Sequence, residues 1–361
     1  MKYVFLTIVL LLATQLYAQT ITAIVNSNNG LSIRDTPSLK AERIGVIPYK
    51  GKVKILQSSK EFEQIILSKE RQVVGEWKKI SFENIEGYVF DKFLNYKLDY
   101  KHKNYNPNRQ HIDIYTEKEF FDNIGDKRTL NIKAEKLDLQ QYGIDNFNTL
   151  SKYNFNKRQT NGKGIEVNEY KDKFSGLMLI RLNDLEITSD IKSEIILGET
   201  VIEKCKGITF NNLRFSNEDA NNRPKGLSIE KSKQVYFTNI DLENGRFNVN
   251  PDCDIYFKYC DFNQYLLTMY DSIIAVENCK FYNAEKEAIV IVPTDYNDEV
   301  MTIIEISNSF FGFNMNMVNV MEIEEYLDDP YSKLNLLFDE NNIIEYNPKY
   351  ESLQILVPFK S

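Results

Sequence analysis

The sequence predicts an all-β fold: a small barrel followed by a right-handed parallel β-helix with a short N-terminal capping helix. Three observations predict it. Residues 20–94 hold five or six short alternating segments separated by turn residues, and an eight-residue phrase then recurs at irregular intervals through residues 177–343. Aromatic residues, mostly Tyr and Phe, make up 12% of the chain and favour strands. The 361 residues leave room for two domains.

The recurring phrase has apolar residues at its first, third and eighth positions, a polar residue at the fifth, and a small or apolar residue at the sixth. Its copies begin at Ile180, Ile208, Val235, Ile255, Ile274, Ile304 and Leu336. The alternating first half predicts a strand with one buried face. The break in phase then predicts a bend and a second strand. The fifth residues are Asp184, Asn212, Asn239, Tyr259, Asn278, Asn308 and Glu340.

Asn suits such a bend because it tolerates left-handed backbone and its amide can bond the Asn of the next coil. The irregular spacing favours stacked coils whose loops vary in length. We therefore expect equivalent side chains, such as Phe210, Phe237, Phe257 and Val276, to lie in one column. The alternative is an antiparallel sandwich with its turns at Asn, although hairpin turns rarely recur at one phase of the same phrase.

The first residues predict export. One Lys, a short apolar run and a small residue before Gln19 are typical of a secretory signal, residues 1–18, cleaved near Ala18. An uncleaved anchor is the alternative. No later stretch is apolar enough to cross a membrane, so we expect no membrane span in the mature chain and a periplasmic or extracellular location.

The barrel segment, residues 20–94, carries a family resemblance. The run Gly30-Leu-Ser-Ile-Arg-Asp-Thr-Pro-Ser38 resembles the opening motif of bacterial SH3 (SH3b) domains, and later pieces follow in that family's order. These pieces are Ile44-Gly-Val-Ile47, Gly51-Lys-Val-Lys-Ile55, Glu76-Trp-Lys-Lys-Ile80, Glu86-Gly-Tyr-Val89 and Phe93-Leu94. The resemblance implies a binding module for cell-wall peptide, glycan or a neighbouring domain, and does not imply catalysis. Residues 58–74 depart from the family and predict a charged loop or long hairpin.

The candidate ligand-binding residues of the barrel are Tyr49, Trp77 and Tyr88. Tyr49 and Tyr88 can line a groove, since aromatic rings supply contact area at low entropy cost. Trp77 is the more ambiguous, because a Trp at this place in a barrel more often fills the core than forms a platform. Arg34 is expected to be structural, capping backbone carbonyls across the barrel.

A polar linker, residues 95–109, separates the barrel from the β-helix of residues 110–361. Thr116 and Glu119 form a capping-box pattern, followed by an apolar stripe, and Gly125 is expected to end the helix. The strand, helix and strand at the start of this region resemble the N-terminal cap of pectate-lyase-like β-helix proteins. Such a cap covers what would otherwise be an unpaired sheet edge.

The four cysteines are Cys205, Cys253, Cys260 and Cys279. Cys260 and Cys279 occupy the sixth position of adjacent copies, where we expect a ladder of buried thiols. A disulfide between them is the alternative, and the sequence leaves the redox state of all four open. Cys205 and Cys253 are expected on turns before their strands. No cysteine pair or histidine cluster predicts a zinc site.

The net charge of −8 argues against nucleic acid as a partner. Arginine or carboxylate motifs typical of β-helix lyases and hydrolases are not found, so no catalytic residue is predicted. Asp252 and Asp254 are weak calcium candidates, and no other cofactor is expected. Tyr236 and Tyr256 lie on one outward strand face and can stack on a sugar ring, although tyrosine also simply favours exposed strands.

These observations predict an exported, non-catalytic binding or structural protein of the cell envelope or extracellular space. The barrel would bind wall peptide or glycan, or pack on the β-helix, and the β-helix would present a long flat face to a polymer or partner. The alternative is a polysaccharide lyase or glycoside hydrolase with an SH3b targeting module. The sequence favours the first without deciding whether the chain is an enzyme, and it fixes neither ligand nor oligomeric state.

Overall fold

A computed structural model gives the fold, which divides into two compact units, Met1–Tyr100 and Lys101–Ser361. The structure describes residues 22–67, 72–97, 106, 108–147, 150, 164–170, 173–216, 226–270, 272–284, 287–292, 302–307, 309–312, 316–320, 334–338, 343–345 and 355–356. The predicted signal and its cleavage near Ala18 lie outside these residues. The predicted domain boundaries, 20–94 and 110–361, stay predictions.

The first unit is one antiparallel sheet of seven strands in the order β3-β2-β6-β5-β4-β1-β7. The strands are Thr22–Val25 (β1), Leu31–Arg34 (β2), Arg43–Ile47 (β3), Lys52–Ile66 (β4), Gln72–Phe82 (β5), Ile85–Phe90 (β6) and Leu94–Lys97 (β7). A single 3₁₀ turn, Asp91–Phe93, precedes the last strand. Alternation along the strands buries one face, including Ile33, Ile47 and Ile80.

The described residues of the charged piece, 58–67 and 72–74, lie on the paired strands β4 and β5 or directly after β4, in agreement with the hairpin that was one of the two predicted forms. Its register shifts between Ser58 and Phe62, and Lys60 there has a φ of 62°. The buried Glu76 carboxylate accepts bonds from the Ser58 hydroxyl and the Lys60 amide, which fixes this irregularity. The hairpin covers a second small core of Val73, Trp77 and Phe90.

The second unit includes the short helices Glu117–Asn123 and Leu139–Asp145 and many short strands. The strands are Gln110–Ile114 (β8), Arg128–Ile132 (β9), Lys136–Asp138 (β10), Gly164–Tyr170 (β11), Lys173–Ile180 (β12), Asn183–Ser189 (β13), Glu194–Ile196 (β14), Thr200–Glu203 (β15), Lys206–Asn211 (β16), Arg214–Ser216 (β17), Gly226–Glu230 (β18), Lys233–Thr238 (β19), Asp241–Val249 (β20), Asp254–Lys258 (β21), Asp261–Tyr270 (β22), Ile273–Glu277 (β23), Lys280–Tyr282 (β24), Glu287–Val292 (β25), Thr302–Ser307 (β26), Phe310–Gly312 (β27), Asn316–Val320 (β28), Leu334–Phe338 (β29), Ile343–Glu345 (β30) and Ile355–Leu356 (β31).

These strands form two sheets. The nine-stranded sheet has the order β29-β26-β23-β21-β19-β16-β13-β9-β8 and is parallel throughout. The fifteen-stranded sheet is parallel at every described pair except β11 with β12. From β9 onward, successive strands of the nine-stranded sheet alternate along the chain with strands of the other sheet. The predicted all-β class is therefore confirmed, and the parallel sheets are compatible with a β-helix.

The predicted column of third-position side chains is confirmed. Phe210, Phe237, Phe257 and Val276 are consecutive register partners in the nine-stranded sheet. The Phe237 ring stacks on Phe210 at 5.0 Å and on Phe257 at 5.2 Å between centroids. A second column runs through the eighth positions, where Phe281 stacks between Phe262 and Phe311. The interior is thus built of columns in which equivalent aromatic and aliphatic side chains of successive strands stack on one another.

The bend at the fifth position has the predicted left-handed backbone. Asn212, Asn239 and Asn278 each have a φ of 54°, and Tyr259 has 55°. The predicted amide ladder forms between Asn239, whose Nδ2 donates, and Asn212 Oδ1 at 2.8 Å. The residue after each bend turns inward, so Leu213, Ile240, Cys260 and Cys279 are buried. The fifth-position Asn308 and Glu340 lie outside the described residues.

Asn239 is a direct test of this corner. It is buried, adopts the left-handed conformation, donates to Asn212 and accepts from Lys192 Nζ at 3.2 Å. Asn239→Ala should lower the free energy of unfolding by about 2 kcal/mol, since it removes these bonds and places at positive φ a residue that tolerates left-handed backbone less well than Asn does. Asn239→Gly should cost about 1 kcal/mol less, because glycine has no left-handed penalty. Urea unfolding of both variants measures the difference, and equal losses would contradict the backbone explanation.

The prediction of the first copy of the phrase, which begins at Ile180, is wrong in its alignment with the later copies. Ile187, not Leu182, is the register partner of Phe210, and Leu182 lies instead at the preceding corner beside Cys205. Asp184 has the predicted left-handed backbone, with a φ of 59°, but it lies opposite Gly207 near the start of its strand. The bend that aligns with Asn212 is at Lys192, whose φ is also 59°. At each of the two corners a left-handed residue, Arg181 or Lys192, precedes a buried one. The sequence around Arg181 therefore has the same pattern as the phrase. On the outward face of the sheet, Glu186 is the register partner of Thr209.

The capping helix is confirmed over Glu117–Asn123. The Thr116 hydroxyl accepts from the Glu119 amide at 3.2 Å, and the Glu119 carboxylate accepts from the Tyr115 amide at 2.8 Å. The helix ends one residue before Ile124, whose backbone is extended, so Gly125 does not terminate it as predicted. Phe120 and Phe121 are buried in the core of the second unit.

Candidate binding surfaces

The predicted aromatic residues of the first unit have three different environments. Tyr49 is exposed on the turn after β3, with the Lys50 ammonium 5.2 Å from its ring centroid. Tyr88 is half-buried and packs against the second small core. Trp77 is only 1% exposed. Tyr49 and Tyr88 are therefore within reach of a ligand, whereas the Trp77 ring is enclosed.

Trp77 belongs to the core of the unit. Its ring packs edge-on against Phe90 at 5.6 Å, and its Nε1 donates to Glu63 Oε2 at 2.9 Å. The same carboxylate oxygen accepts from the Leu39 amide, which ties the loop before β3 to the hairpin. Arg34 has the structural role that was predicted, since its Nη1 donates to the Ala41 carbonyl at 2.5 Å.

Exposed large apolar side chains concentrate on the first unit. Among the described residues, those of the first unit are Leu39, Ile44, Val46, Tyr49, Leu56, Ile66 and Leu67, and those of the second are Tyr115, Ile144 and Ile273. Ile44 and Val46 are 40% and 41% exposed on β3, which is an end strand of the sheet. The sequence analysis did not predict this exposed pair. The indication was that Ile44-Gly-Val-Ile47 has apolar residues on both faces of one strand, so that some of them had to face outward.

The second predicted aromatic pair lies on the outward face of the nine-stranded sheet. Tyr236 and Tyr256 are register partners, and their rings stack at 4.7 Å with an angle of 10°. Tyr236 is only 7% exposed, while Tyr256 is half-buried. The structure therefore brings the two rings together as predicted but leaves Tyr236 largely inaccessible to a sugar.

Charged side chains on the outer faces pair between neighbouring strands. Lys258 Nζ donates to both carboxylate oxygens of Glu277, its register partner, at 2.8 and 2.7 Å. Arg214 lies 3.9 Å from Glu194 and 3.8 Å from Glu243, on the strands at either side. Such ion pairs connect neighbouring strands of a sheet and therefore stabilise the fold.

A buried ionic cluster around Arg109 was not predicted. Arg109, assigned to the linker, is buried against the outward face of the nine-stranded sheet. Its Nε donates to Asp184 at 2.6 Å and its Nη1 to Glu186 at 2.8 Å, and Thr129 also donates to Glu186. The sequence around Arg109 has almost no aliphatic residue, so nothing in its periodicity indicated burial.

The two weak calcium candidates lie at the start of β21. Asp252 accepts from Lys233 Nζ at 2.6 Å, so its charge is already compensated. Asp254 Oδ1 is buried and finds no hydrogen-bond donor among the residues that the structure describes. Across the described ranges, no group of three or more His, Cys, Asp or Glu side chains is placed to hold a metal ion.

All four cysteines are free and buried. Cys260 and Cys279 form the predicted ladder, with the Cys260 amide donating to Cys279 Sγ at 3.4 Å. Cys205 and Cys253 occupy the opposite corner, where Ser232 and Ser272 hold the equivalent places and accept from the two cysteine amides. Burial raises the pKa of Cys205 to about 12 and that of Cys253 to about 11, and it also raises the pKa of Cys279.

These thiols should make the fold sensitive to alkali. A buried thiol keeps its proton to higher pH than in the unfolded chain, where its pKa is near 9.0. The contribution of each thiol to the free energy of unfolding is therefore complete below about pH 9. It falls by roughly 1.4 kcal/mol per pH unit as the pH rises towards 11 to 12. Replacing Cys205 and Cys253 with serine, as at Ser232 and Ser272, should reduce this loss. Urea unfolding at about pH 7.5 and pH 10 measures it, and parallel losses in both proteins would contradict the expectation.

No helix in the part of the chain that the structure describes is both long and apolar enough to span a membrane. Comparison with protein-family models gives no match to this chain, and comparison with curated proteins gives none either.

Proposed function

We propose that the chain is an exported, non-catalytic binding protein of the cell envelope or extracellular space. In this proposal the first unit is an SH3b-like barrel that binds wall peptide or glycan. The second unit is a right-handed parallel β-helix that serves as a rigid, extended scaffold. The alternating strand order, the in-register columns and the left-handed corners support the helix assignment, and the opening motif around Arg34 supports the barrel assignment.

The observation that carries the binding role is the set of exposed apolar side chains on the first unit. Ile44 and Val46 leave apolar area in water on an end strand, and natural sheets usually protect such an edge with charges. Tyr49 follows on the next turn and adds an amphipathic ring. An extended peptide or a sugar chain would cover this surface and remove it from water.

The outer charges of the second unit support a scaffolding role. Lys258 pairs with Glu277, and Arg214 lies between Glu194 and Glu243, so opposite charges meet between adjacent strands. Groups paired in this way hold neighbouring strands in register. The stack is stiff because each strand contacts its neighbours along its whole length, as in other repeat architectures.

A peptidoglycan retention assay tests the proposal. The full-length chain and the Ile44→Ser/Val46→Ser variant are incubated with insoluble peptidoglycan, and the bound fraction is measured. Losing two aliphatic contacts should weaken binding by at least about tenfold. Ile144→Ser is the matched control, because Ile144 is 46% exposed but lies in the second unit. No retention of the wild type, or equal retention of the double variant, would overturn the assignment. Turnover of any polymer would overturn its non-catalytic part.

A further inference from the structure

The corner after β13 places a buried lysine beside a buried amide. Lys192, Asn212 and Asn239 are the left-handed residues at the bends after β13, β16 and β19, which are neighbouring strands. Lys192 Nζ extends across the middle bend and lies 3.2 Å from Asn239 Oδ1 and 2.6 Å from Asp241 Oδ1. The Lys192 and Asp241 side chains are 10% and 5% exposed, and Asn239 is buried as well. An amine, a carboxamide and a carboxylate therefore meet in a site that is largely shielded from solvent.

Hydrogen bonds hold the Asn239 amide in one orientation. Its Nδ2 donates to Asn212 Oδ1 at 2.8 Å, so its oxygen is the atom that contacts Lys192. Asn212 is fixed in turn, because its own Nδ2 donates to the Ser189 carbonyl. Since a C=O bond is about 1.23 Å long, the Asn239 Cγ lies no more than about 4.4 Å from Lys192 Nζ. Reacting atoms in a near-attack arrangement are about 3–3.5 Å apart, so a shift of about 1 Å is sufficient.

We propose that the side chains of Lys192 and Asn239 join in an intramolecular amide cross-link, with Asp241 as the acid–base group. Burial disfavours the charged forms of both Lys192 and Asp241, so transfer of a proton from Nζ to the carboxylate leaves a neutral, nucleophilic amine. Nζ then attacks Asn239 Cγ and forms a C–N bond, and the Cγ–Nδ2 bond breaks. Asp241 carries the Nζ protons to the departing nitrogen, which leaves as ammonia. One amide replaces another, so the step consumes no oxidant or other co-reactant.

The cross-link would tie together strands that are not direct neighbours. Lys192 and Asn239 are 47 residues apart along the chain, and closing a loop of that length removes freedom from the unfolded chain, as a disulfide does. All four cysteines are free, so this tie would be the covalent one, and reducing conditions would not break it. It does not depend on what either unit binds. The comparison of Asn239→Ala with Asn239→Gly is also unaffected, because both variants lack the cross-link.

The test is mass spectrometry of the full-length chain after denaturation and digestion with trypsin. Trypsin does not cleave after a lysine whose Nζ is acylated. We therefore expect the peptide of residues 182–204, uncut at Lys192, joined to the peptide of residues 234–246. The mass of the joined species should be lower than the sum of the two peptides by one ammonia. Recovery of the peptides 182–192 and 234–246 without any joined species would overturn the proposal and leave Lys192 as an ion-pair partner only.

Three variants assign the roles. Lys192→Arg keeps a cation beside Asp241 but has no amine, so it should lack the joined species while circular dichroism shows the native fold. Asp241→Asn keeps the side-chain shape and should slow formation of the cross-link at least about a hundredfold. Lys133→Arg is the matched control, because Lys133 Nζ contacts Asp190 at the same corner and should not take part. A joined species in Lys192→Arg, its formation at the wild-type rate in Asp241→Asn, or its loss from folded Lys133→Arg would each overturn the assignment.

Discussion

Phe237→Ala is expected to lower the free energy of unfolding by about 3–5 kcal/mol, the usual cost of removing a buried aromatic ring. Phe237 is fully buried, stacks on Phe210 and Phe257, and meets the edge of Phe247 at 5.1 Å. The lost ring leaves a cavity that the rigid strands at either side cannot close. Urea unfolding followed by far-ultraviolet circular dichroism measures the change.

Two variants control for this result. Phe237→Leu keeps most of the buried volume and should cost less than half as much as Phe237→Ala. Tyr115→Ala removes a ring that is largely exposed, so it should leave stability nearly unchanged. A loss below about 1 kcal/mol in Phe237→Ala would mean that the column does not hold the strands together.

Arg109→Ala is expected to cost about 3–5 kcal/mol, because it leaves Asp184 and Glu186 as partly buried carboxylates without their shared cation. Removing one partner of a buried ion pair costs more than the pair itself contributes. The same urea measurement applies. Replacing all three residues together, with Arg109→Met, Asp184→Asn and Glu186→Gln, should recover most of the loss because no charge is then left uncompensated.

The matched control is Lys118→Ala. Lys118 also makes an ion pair, with Asp122 at 2.5 Å, but both side chains are in water on the capping helix. Screening by solvent makes such a pair weak, so no measurable change in stability is expected. If Arg109→Ala were as mild as Lys118→Ala, the cluster would have no stabilising role.

The columns could be predicted from the sequence because stacking imposes the same chemistry on equivalent positions. Phe210, Phe237 and Phe257 recur in phase for the physical reason that they touch, and Asn212 and Asn239 recur because few residues tolerate a φ near 54°. The phrase failed at Leu182, where two different corners have the same local pattern. Local sequence alone does not distinguish two bends that use identical backbone geometry.

The candidate sites were only partly predictable. The partnership of Tyr236 and Tyr256 followed from their phase, but the burial of Tyr236 did not, because coverage of an outward face depends on distant segments. Arg109 shows the same limit. Its hydrogen bonds to Asp184 and Glu186 bury it against the outward face of the sheet, and these partners are about 75 residues away along the chain.

The rung that contains Ile187 holds three extra residues, 189–191, before its bend at Lys192, yet Ile187 pairs in register with Phe210 and Ile195 with Phe215. A loop can therefore lengthen at a corner without moving the interior. Inward positions are constrained by the side chains stacked on them in both neighbouring coils, whereas the extra corner residues are held by a few hydrogen bonds, such as those to the Ser189 carbonyl and the Asp190 carboxylate. The two parts of the chain are therefore free to change at different evolutionary rates. Divergence in such a protein should accumulate at the corners first, and foreign peptides could be grafted there at little cost.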